Sequence, residues 1–508
     1  MTDPRRVTHA APDGIPDAAA LPRRPHVVVV GGGIAGLAAA TGLAERGVTV
    51  DVVERRSYLG GRVGGWTESL PDGTTVAMNR GFHAFFRQYY NLRSLLRRVD
   101  SQLAMLMPVD DYPLIDGDGR RDTFRGLPMT PPYNAVSFAF RSPTFRLRDL
   151  IRLNARAAAP LAAVSVPDVY DRLDHQDADS FLRDINFPDA ARHLAFEVFS
   201  RSFFAEPTDL SAAELAAMFH IYFLGSSEGL IFDVANANFD VALWNPLARY
   251  LETIGVRILT GTSVAEVRAI GRPSVRCDTG TELAADGVVL ATDVAGLRRL
   301  VANSPTLGDD GWRKNVAKLA SAPPFVVQRL WLDQKVESAR SAFVGTGGRP
   351  PLDNVSVLER YEREAKAWSD RTGGSVVELH SYAVTQPHDD LRGRLLDRLH
   401  ELYPETKGAS VLGEKVLCHN DCPRFAPGDF AGRPGVVTPH DDVVLAGDGI
   451  RIDLPVALME RAATTGWSAA NRLLERLGIA GHQLQTVPNE GRMGLLSRLA
   501  SREGQPRR

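Results

Sequence analysis

The sequence predicts an α/β protein in which a Rossmann-type nucleotide-binding domain is interleaved with an α+β substrate domain. Three observations carry this reading: a β-branched run that passes straight into a glycine turn and an alanine-rich helix near the start of the chain, a strand-and-turn stretch from Gly255 to Thr292, and a strand followed by a long helical pattern after Asp442. Each suits one parallel-sheet unit covered by helices. The two long stretches between them are rich in Phe, Tyr, Trp and Arg.

Taken in order, residues 1–25 carry arginines but no uninterrupted apolar stretch, so they read as a flexible leader and not as a secretory signal. Val27 to Val30 form a short run fit for a strand buried on both faces. Gly31, Gly32, Gly33 and Gly36 then open a segment whose alanines and leucines favour helix, and Gly47 stops it. Val48 to Val53 is the next strand and ends in Glu54, which completes a βαβ unit. Residues 26–80, 241–304 and 436–478 therefore read as the nucleotide-binding domain, and 81–240 with 305–435 as the substrate domain. Residues 479–508, with five arginines against two glutamates, read as a flexible tail.

Composition narrows the function classes. Of 508 residues, 44% are hydrophobic and 24% charged, which is ordinary for a globular protein. A formal charge of -2 supplies no basic field, so no nucleic-acid partner is expected. Three cysteines do not make a disulfide scaffold for this length and suit a reducing, cytoplasmic setting. No window approaches 18 uninterrupted apolar residues, which excludes transmembrane helices but leaves peripheral membrane binding open.

The spacing Gly31-x-Gly33-x-x-Gly36 lies between a strand and a helix. There the first glycine permits a tight turn, the second lets the backbone approach a pyrophosphate, and the third allows close strand-helix packing. Backbone N–H groups of Ile34, Ala35 and Gly36 sit at the positive end of a helix dipole and would hold phosphate charge. Glu54, at the end of the second strand, is placed to accept both hydroxyls of an adenosine ribose. These features fit NAD and FAD equally.

Two further motifs discriminate. Leu59-Gly60-Gly61-Arg62 brings an arginine just past the ribose-binding carboxylate, suited to the diphosphate of an extended cofactor, and Ala446-Gly447-Asp448 brings another turn and carboxylate ahead of a helix. Together they resemble the flavin-containing amine oxidase and carotenoid desaturase superfamily. The resemblance implies bound FAD, adenine contacted by the main chain of Val264, a ribityl hydroxyl or phosphate-bound water held by Asp448, and the N-terminus of the Pro455-Val456-Ala457-Leu458-Met459 helix facing the flavin. Arg461 departs from the pattern, where many members have a glycine.

The run Asn79-Arg-Gly81-Phe82-His83-Ala-Phe-Phe86-Arg-Gln-Tyr-Tyr90-Asn-Leu-Arg93, with Arg201-Ser-Phe-Phe-Ala205 and Met459-Glu-Arg-Ala-Ala-Thr-Thr-Gly466, is narrower. It resembles bacterial carotene β-ring desaturase/methyltransferases, the isorenieratene-type ring synthases. That implies conversion of a β-ionone end group to an aromatic φ- or χ-ring, with Gly81, Phe82 and His83 near the flavin or substrate. Because the quaternary ring carbon carries two methyls, aromatisation needs two hydride removals, two proton losses and one 1,2-methyl shift. Aromatic faces would stabilise the intermediate cation. His83, Phe86, Tyr222 and Trp244 are the candidate catalytic residues, Phe85, Tyr89 and Phe223 further aromatic neighbours, and His83, His220 and Glu228 candidate bases.

The implied partners are a carotenoid dissolved in the cytoplasmic membrane, the membrane surface itself and an electron acceptor that the sequence does not specify. Arg141, Arg146, Arg148 and Arg152, interleaved with apolar residues, suit an interfacial segment. Cys418-His-Asn-Asp-Cys422 lacks a second ligand pair, so no metal is expected. Two alternatives stay open: a linear carotene desaturase or isomerase, and a non-catalytic FAD-binding membrane factor. An amine oxidase ranks lower.

Overall fold

Val27–Val30, buried on both faces, form the centre of a five-stranded parallel sheet. Its order is 257–259, 49–53, 26–30, 287–290 and 443–445, so three distant parts of the chain meet in one layer. The computed structural model of the chain describes residues 3–144, 154, 158–189, 192, 201–384 and 390–491.

The helix Ile34–Ala44 is buried along its whole length, as its apolar composition on every face requires. It packs on the long helix Leu458–Arg476 through small residues: a Cβ at Gly466 would fall 2.2 Å from the Ala35 carbonyl oxygen. This close crossing brings the N-termini of both helices to the same cavity. Antiparallel strands Val264–Arg268, Ser274–Cys277 and Glu282–Ala284 form a small sheet beside it.

The second layer system is a seven-stranded sheet in the order 411–419, 325–332, 375–381, 354–357, 343–346, 114–115, 121–122. It draws strands from both sides of the middle nucleotide-sheet strands in sequence. A three-stranded sheet of 85–86, 232–235 and 106–108 lies in the first of these stretches.

Two expectations differ. The leader and tail pair with each other: Val7–His9 forms an antiparallel ladder with Leu484–Thr486, Ile15 bridges Ile479, and Asp3 is buried with its carboxylate on Ser226 and Ser227. Three-residue strands whose partners lie over 470 residues away leave no local periodicity to read. The short helix Tyr90–Leu96, read with the substrate segments, packs instead on the Leu458–Arg476 helix. There Glu460 accepts from the Asn91 and Leu92 N–H groups at 2.8 and 2.9 Å, capping it from a neighbouring helix.

Candidate active site

A single cavity of about 350 Å³ borders the N-termini of both long helices. One part of its wall is main chain. Gly31, Gly33, Ile34 and Ala35 line it, and the Ile34–Ala44 helix starts with no side-chain cap, leaving its first N–H groups for a ligand. Gly31 has φ +112°, a conformation open to glycine at little cost. Glu54 also faces the cavity, but its carboxylate already accepts from Gly32 N at 2.7 Å and Arg56 N at 2.8 Å, so it shapes the glycine turn as well as offering its remaining lone pairs. Val264, Thr262 and Ser263 complete this wall, with Arg55 salt-bridged to Asp293 at 2.7 Å.

Gly60, Gly61 and Arg62 line the next portion with Gly447, Asp448, Leu458 and Met459. Arg62 pairs with Asp448, which ties the two motifs that the sequence placed 386 residues apart. The Leu458–Arg476 helix likewise begins without a side-chain cap. Leu458 itself sits at φ +53°, a strained conformation for a bulky residue, and it borders the cavity.

The remaining wall is made of side chains: Phe82, His83, Phe86, Tyr89, Tyr112, Phe204, Phe325, His380 and Tyr382. Phe82 stacks on Tyr112 and Phe86 meets Tyr222 edge-on at 4.6 Å. The His83 Nδ1–H donates to the Gly81 carbonyl at 2.8 Å, since a carbonyl only accepts, and this leaves Nε2 unprotonated. Burial within the protein mass, aided by the charges of Arg80 and Arg62, pushes His83 down to about 4, so it is neutral across physiological pH.

Five sequence candidates stand behind this wall. Trp244 is fully buried, donates Nε1–H to the Val63 carbonyl at 2.6 Å, and fills the space a Cβ on Gly60 would need. It braces the Gly60-Gly61-Arg62 turn and does not border the cavity. Tyr222 shares a 2.6 Å hydrogen bond between hydroxyls with Tyr89 and backs Phe86. Gly36 packs on the Gly31 carbonyl, Gly81 packs on His380, and the Val456 carbonyl accepts from Arg461 Nε at 3.0 Å. Of the candidate bases, His220 Nε2 donates to the Pro488 carbonyl and Glu228 accepts from Tyr90, and neither borders the cavity. Arg146, Arg148 and Arg152 lie outside the described residues.

The departure at Arg461 has a structural role. Its guanidinium and that of Arg433 converge on Glu214 at 2.9 Å each, all three buried, and Phe425 lies under both cations. Against the effect of burial, the two arginines hold Glu214 below its ordinary value. The triad fixes the loop that starts the Leu458–Arg476 helix.

Sequence reasoning passed over four cavity residues. Arg80, 3% exposed, forms a two-pronged bridge to Asp421 at 2.7 Å, and Arg80 and Arg62 hold that carboxyl at about 2 against its burial. Arg80 belongs to the narrow aromatic motif, and Asp421 to the Cys418–Cys422 run. The other two, His380 and Tyr382, lie near the end of and just after a strand whose pattern signals only burial.

These walls fit an extended flavin dinucleotide. Among the described residues, Arg80 Nε and Thr292 Oγ1 are buried polar atoms without hydrogen-bond partners on residues that border the cavity, donors a ligand can use. A phosphate-ready helix start, a ribose carboxylate and a second helix start opposite an aromatic end define a flavin-dependent oxidoreductase. The chain matches the model of the flavin containing amine oxidoreductases over residues 34–474, and it belongs to that family, with FAD as its cofactor. It is 57% identical over 482 residues to the carotenoid phi-ring synthase of Streptomyces griseus, covering 94% of this chain and 93% of the relative. Identity to the carotenoid phi-ring synthase of Chlorobaculum tepidum is 29%, over 91% of this chain and 90% of that one. Among solved structures, cyclohexylamine oxidase from Brevibacterium oxydans shares the fold with a TM-score of 0.65 at 16% identity, covering 90% of this chain and 100% of that one.

Proposed function

We propose that the enzyme converts β-ionone end groups of a membrane-dissolved carotenoid, β- or γ-carotene, into aromatic φ-rings, removing four hydrogens per ring with a 1,2-methyl shift. The observation that carries this reading is the 57% identity to a carotenoid phi-ring synthase across 94% of the chain. In this reading residues 26–80, 241–304 and 436–478 hold the cofactor and 81–240 with 305–435 hold the ring. Bound FAD supplies hydride acceptance. The uncapped starts of the helices at 34 and 458 and the Arg62 guanidinium hold its negative charge. Val264, Glu54, Gly447 and Asp448 hold its nucleotide and ribityl portions.

Phe82, Phe86 and Tyr112 present aromatic faces to the ring and exclude water that would trap a cation. His83, held neutral, touches the ring without repelling its positive charge. Four electrons leave per ring, so turnover needs an external electron acceptor.

Access from the bilayer has a matching surface. On the helix Tyr133–Arg141, Tyr133, Val136 and Phe140 are 66%, 47% and 66% exposed and share one face, while Asn134 on the other face donates to the Phe223 carbonyl. Phe223 lies in the same turn as Tyr222, which backs Phe86. An exposed apolar helix face this close to the ring pocket supports peripheral attachment to the cytoplasmic membrane. Among the described residues, no helix is long and apolar enough to cross a membrane.

A second reading, desaturation of a linear carotene, draws on 26% identity to the probable zeta-carotene desaturase of Synechococcus elongatus over 89% of this chain. Expression in cells that accumulate β-carotene separates the two. Mass loss of four hydrogens per ring supports the ring reading, and unchanged β-carotene with altered acyclic precursors supports the second.

A further inference from the structure

We propose that Tyr382, His380 and Glu378 form the proton-accepting relay for the ring cation, with Tyr382 as the member that touches the substrate. The inference rests on the ring-aromatising reading. Glu378 and His380 lie two residues apart on the strand Ser375–Ser381 and so share a face, and Tyr382 follows directly after it. His380 Nε2 is 2.8 Å from Glu378 Oε1, and the Tyr382 hydroxyl is 3.0 Å from His380 Nδ1. Because the carboxylate only accepts, the Nε2 proton belongs to its side and Nδ1 accepts from the Tyr382 hydroxyl. Arg329 donates to Glu378 through Nε at 2.9 Å and Nη2 at 2.7 Å, and also to Asn79 at 2.7 Å. Glu378 and His380 are 0% and 2% exposed, yet His380 and Tyr382 both border the cavity.

The surrounding chain makes room for this relay and aims it. Gly81 has φ +96°, and a Cβ there would fall 2.7 Å from His380 Cε1, so the glycine of the Arg-Gly-Phe-His motif is there to admit the His380 ring. Arg201 donates to the Tyr382 carbonyl at 3.2 Å and Asp353 accepts from the Tyr382 N–H at 2.6 Å, fixing its backbone. His83, the other imidazole in the wall, hydrogen-bonds a neutral carbonyl that offsets no charge. His380 faces a carboxylate that does.

After hydride loss, a C–H bond beside the cationic centre breaks and its electron pair becomes a ring π bond. The proton goes to the Tyr382 oxygen, the Tyr382 proton goes to His380 Nδ1, and the imidazolium donates to Glu378, a carboxylate it shares with Arg329. Net charge is conserved, and no further reactant is needed.

The test uses FAD-loaded wild type, Tyr382→Phe, His380→Gln and the double variant, given β-carotene in liposomes, with flavin absorbance and melting temperature as controls. Tyr382→Phe keeps the ring volume, so its fold is safe even where His380→Gln is not. The expected result is a loss of aromatic product of about 10- to 100-fold in each single variant at unchanged FAD content, with the double no worse than the worse single, as residues acting as one unit behave. Aromatic product within twofold of wild type in Tyr382→Phe, or losses that multiply in the double variant, overturn the relay alone. A wild-type enzyme that leaves β-rings intact overturns the ring-aromatising reading and the relay with it.

Discussion

One end of the cavity is walled by the main chain of one glycine turn and one carboxylate a strand later. The other end is walled by side chains from segments near 82–89, 112, 201–204, 325 and 380–382. A surface of main-chain groups survives almost any sequence change that spares its glycines, whereas a surface of side chains is rewritten by each substitution. The fold is shared with a cyclohexylamine oxidase at 16% identity, and the wall at 82–89, 112, 325 and 382 is largely aromatic.

The sharpest way to break this contrast is Gly33→Val. A Cβ at 33 meets nothing nearer than Gly61 Cα at 3.9 Å, so the protein should fold, while the added methyls enter the space a phosphate needs. FAD content is expected to fall below about one tenth of wild type, read from flavin absorbance. Full occupancy would mean that side chains, not the turn, hold the nucleotide.

Next in size is Glu214→Gln, which leaves Arg461 and Arg433 buried with a neutral partner. Denaturant unfolding should show a loss of about 3–5 kcal/mol, the usual consequence of breaking a buried ion pair from one side. A change under about 1 kcal/mol would show that the loop before the Leu458–Arg476 helix does not depend on the triad.

At the ring end, Phe86→Leu keeps apolar volume but removes the ring face, so aromatic product should drop about tenfold with FAD retained. Recovery of partly oxidised, unrearranged rings would place the defect at the methyl shift. Equal product would make Phe86 a packing residue like Tyr222.

His83 gives a pH test with a defined sign. Held neutral in the fold with its value near 4, but free to protonate near 6.5 once unfolded, it should cost stability progressively as pH falls from about 6.5 to about 4. His83→Gln removes that cost, so the variant should lose less stability than wild type over this window, and parallel melting curves would show that His83 is solvated.

The smallest effect expected is on membrane contact. Tyr133→Ser with Phe140→Ser should lower co-sedimentation with anionic liposomes about fivefold, consistent with roughly 1 kcal/mol of lost apolar insertion, and unchanged partition would move the attachment surface elsewhere.

The same contrast explains what could be read before the structure. Gly31, Gly33 and Glu54 were legible because a strand, a turn and a helix signal one another within 25 residues, Arg62 and Asp448 because each follows a glycine turn of its own, and all five border the cavity. Trp244 could not be told from a substrate contact, since an aromatic residue that braces a glycine turn and one that faces a ring look alike in sequence. His380 and Tyr382 stayed hidden for the opposite reason: on a fully buried strand and in the residue just after it, nothing local marks which side opens onto a cavity. The partner of Arg461 is a glutamate 247 residues earlier in the chain, a pairing no spacing rule reaches.

The pairing of Val7–His9 with Leu484–Thr486 also bears on when the enzyme becomes complete during synthesis. Closing a loop of nearly the whole chain is the slowest kind of contact to make, because its entropy cost precedes any reward. That closure also carries Asp3 to Ser226 and Ser227, just after the turn that holds Tyr222 behind Phe86. The first glycine turn forms from residues within one βαβ unit, whereas the turn that carries Tyr222 also rests on His220 Nε2 donating to the Pro488 carbonyl, a contact between residues 268 apart in the chain.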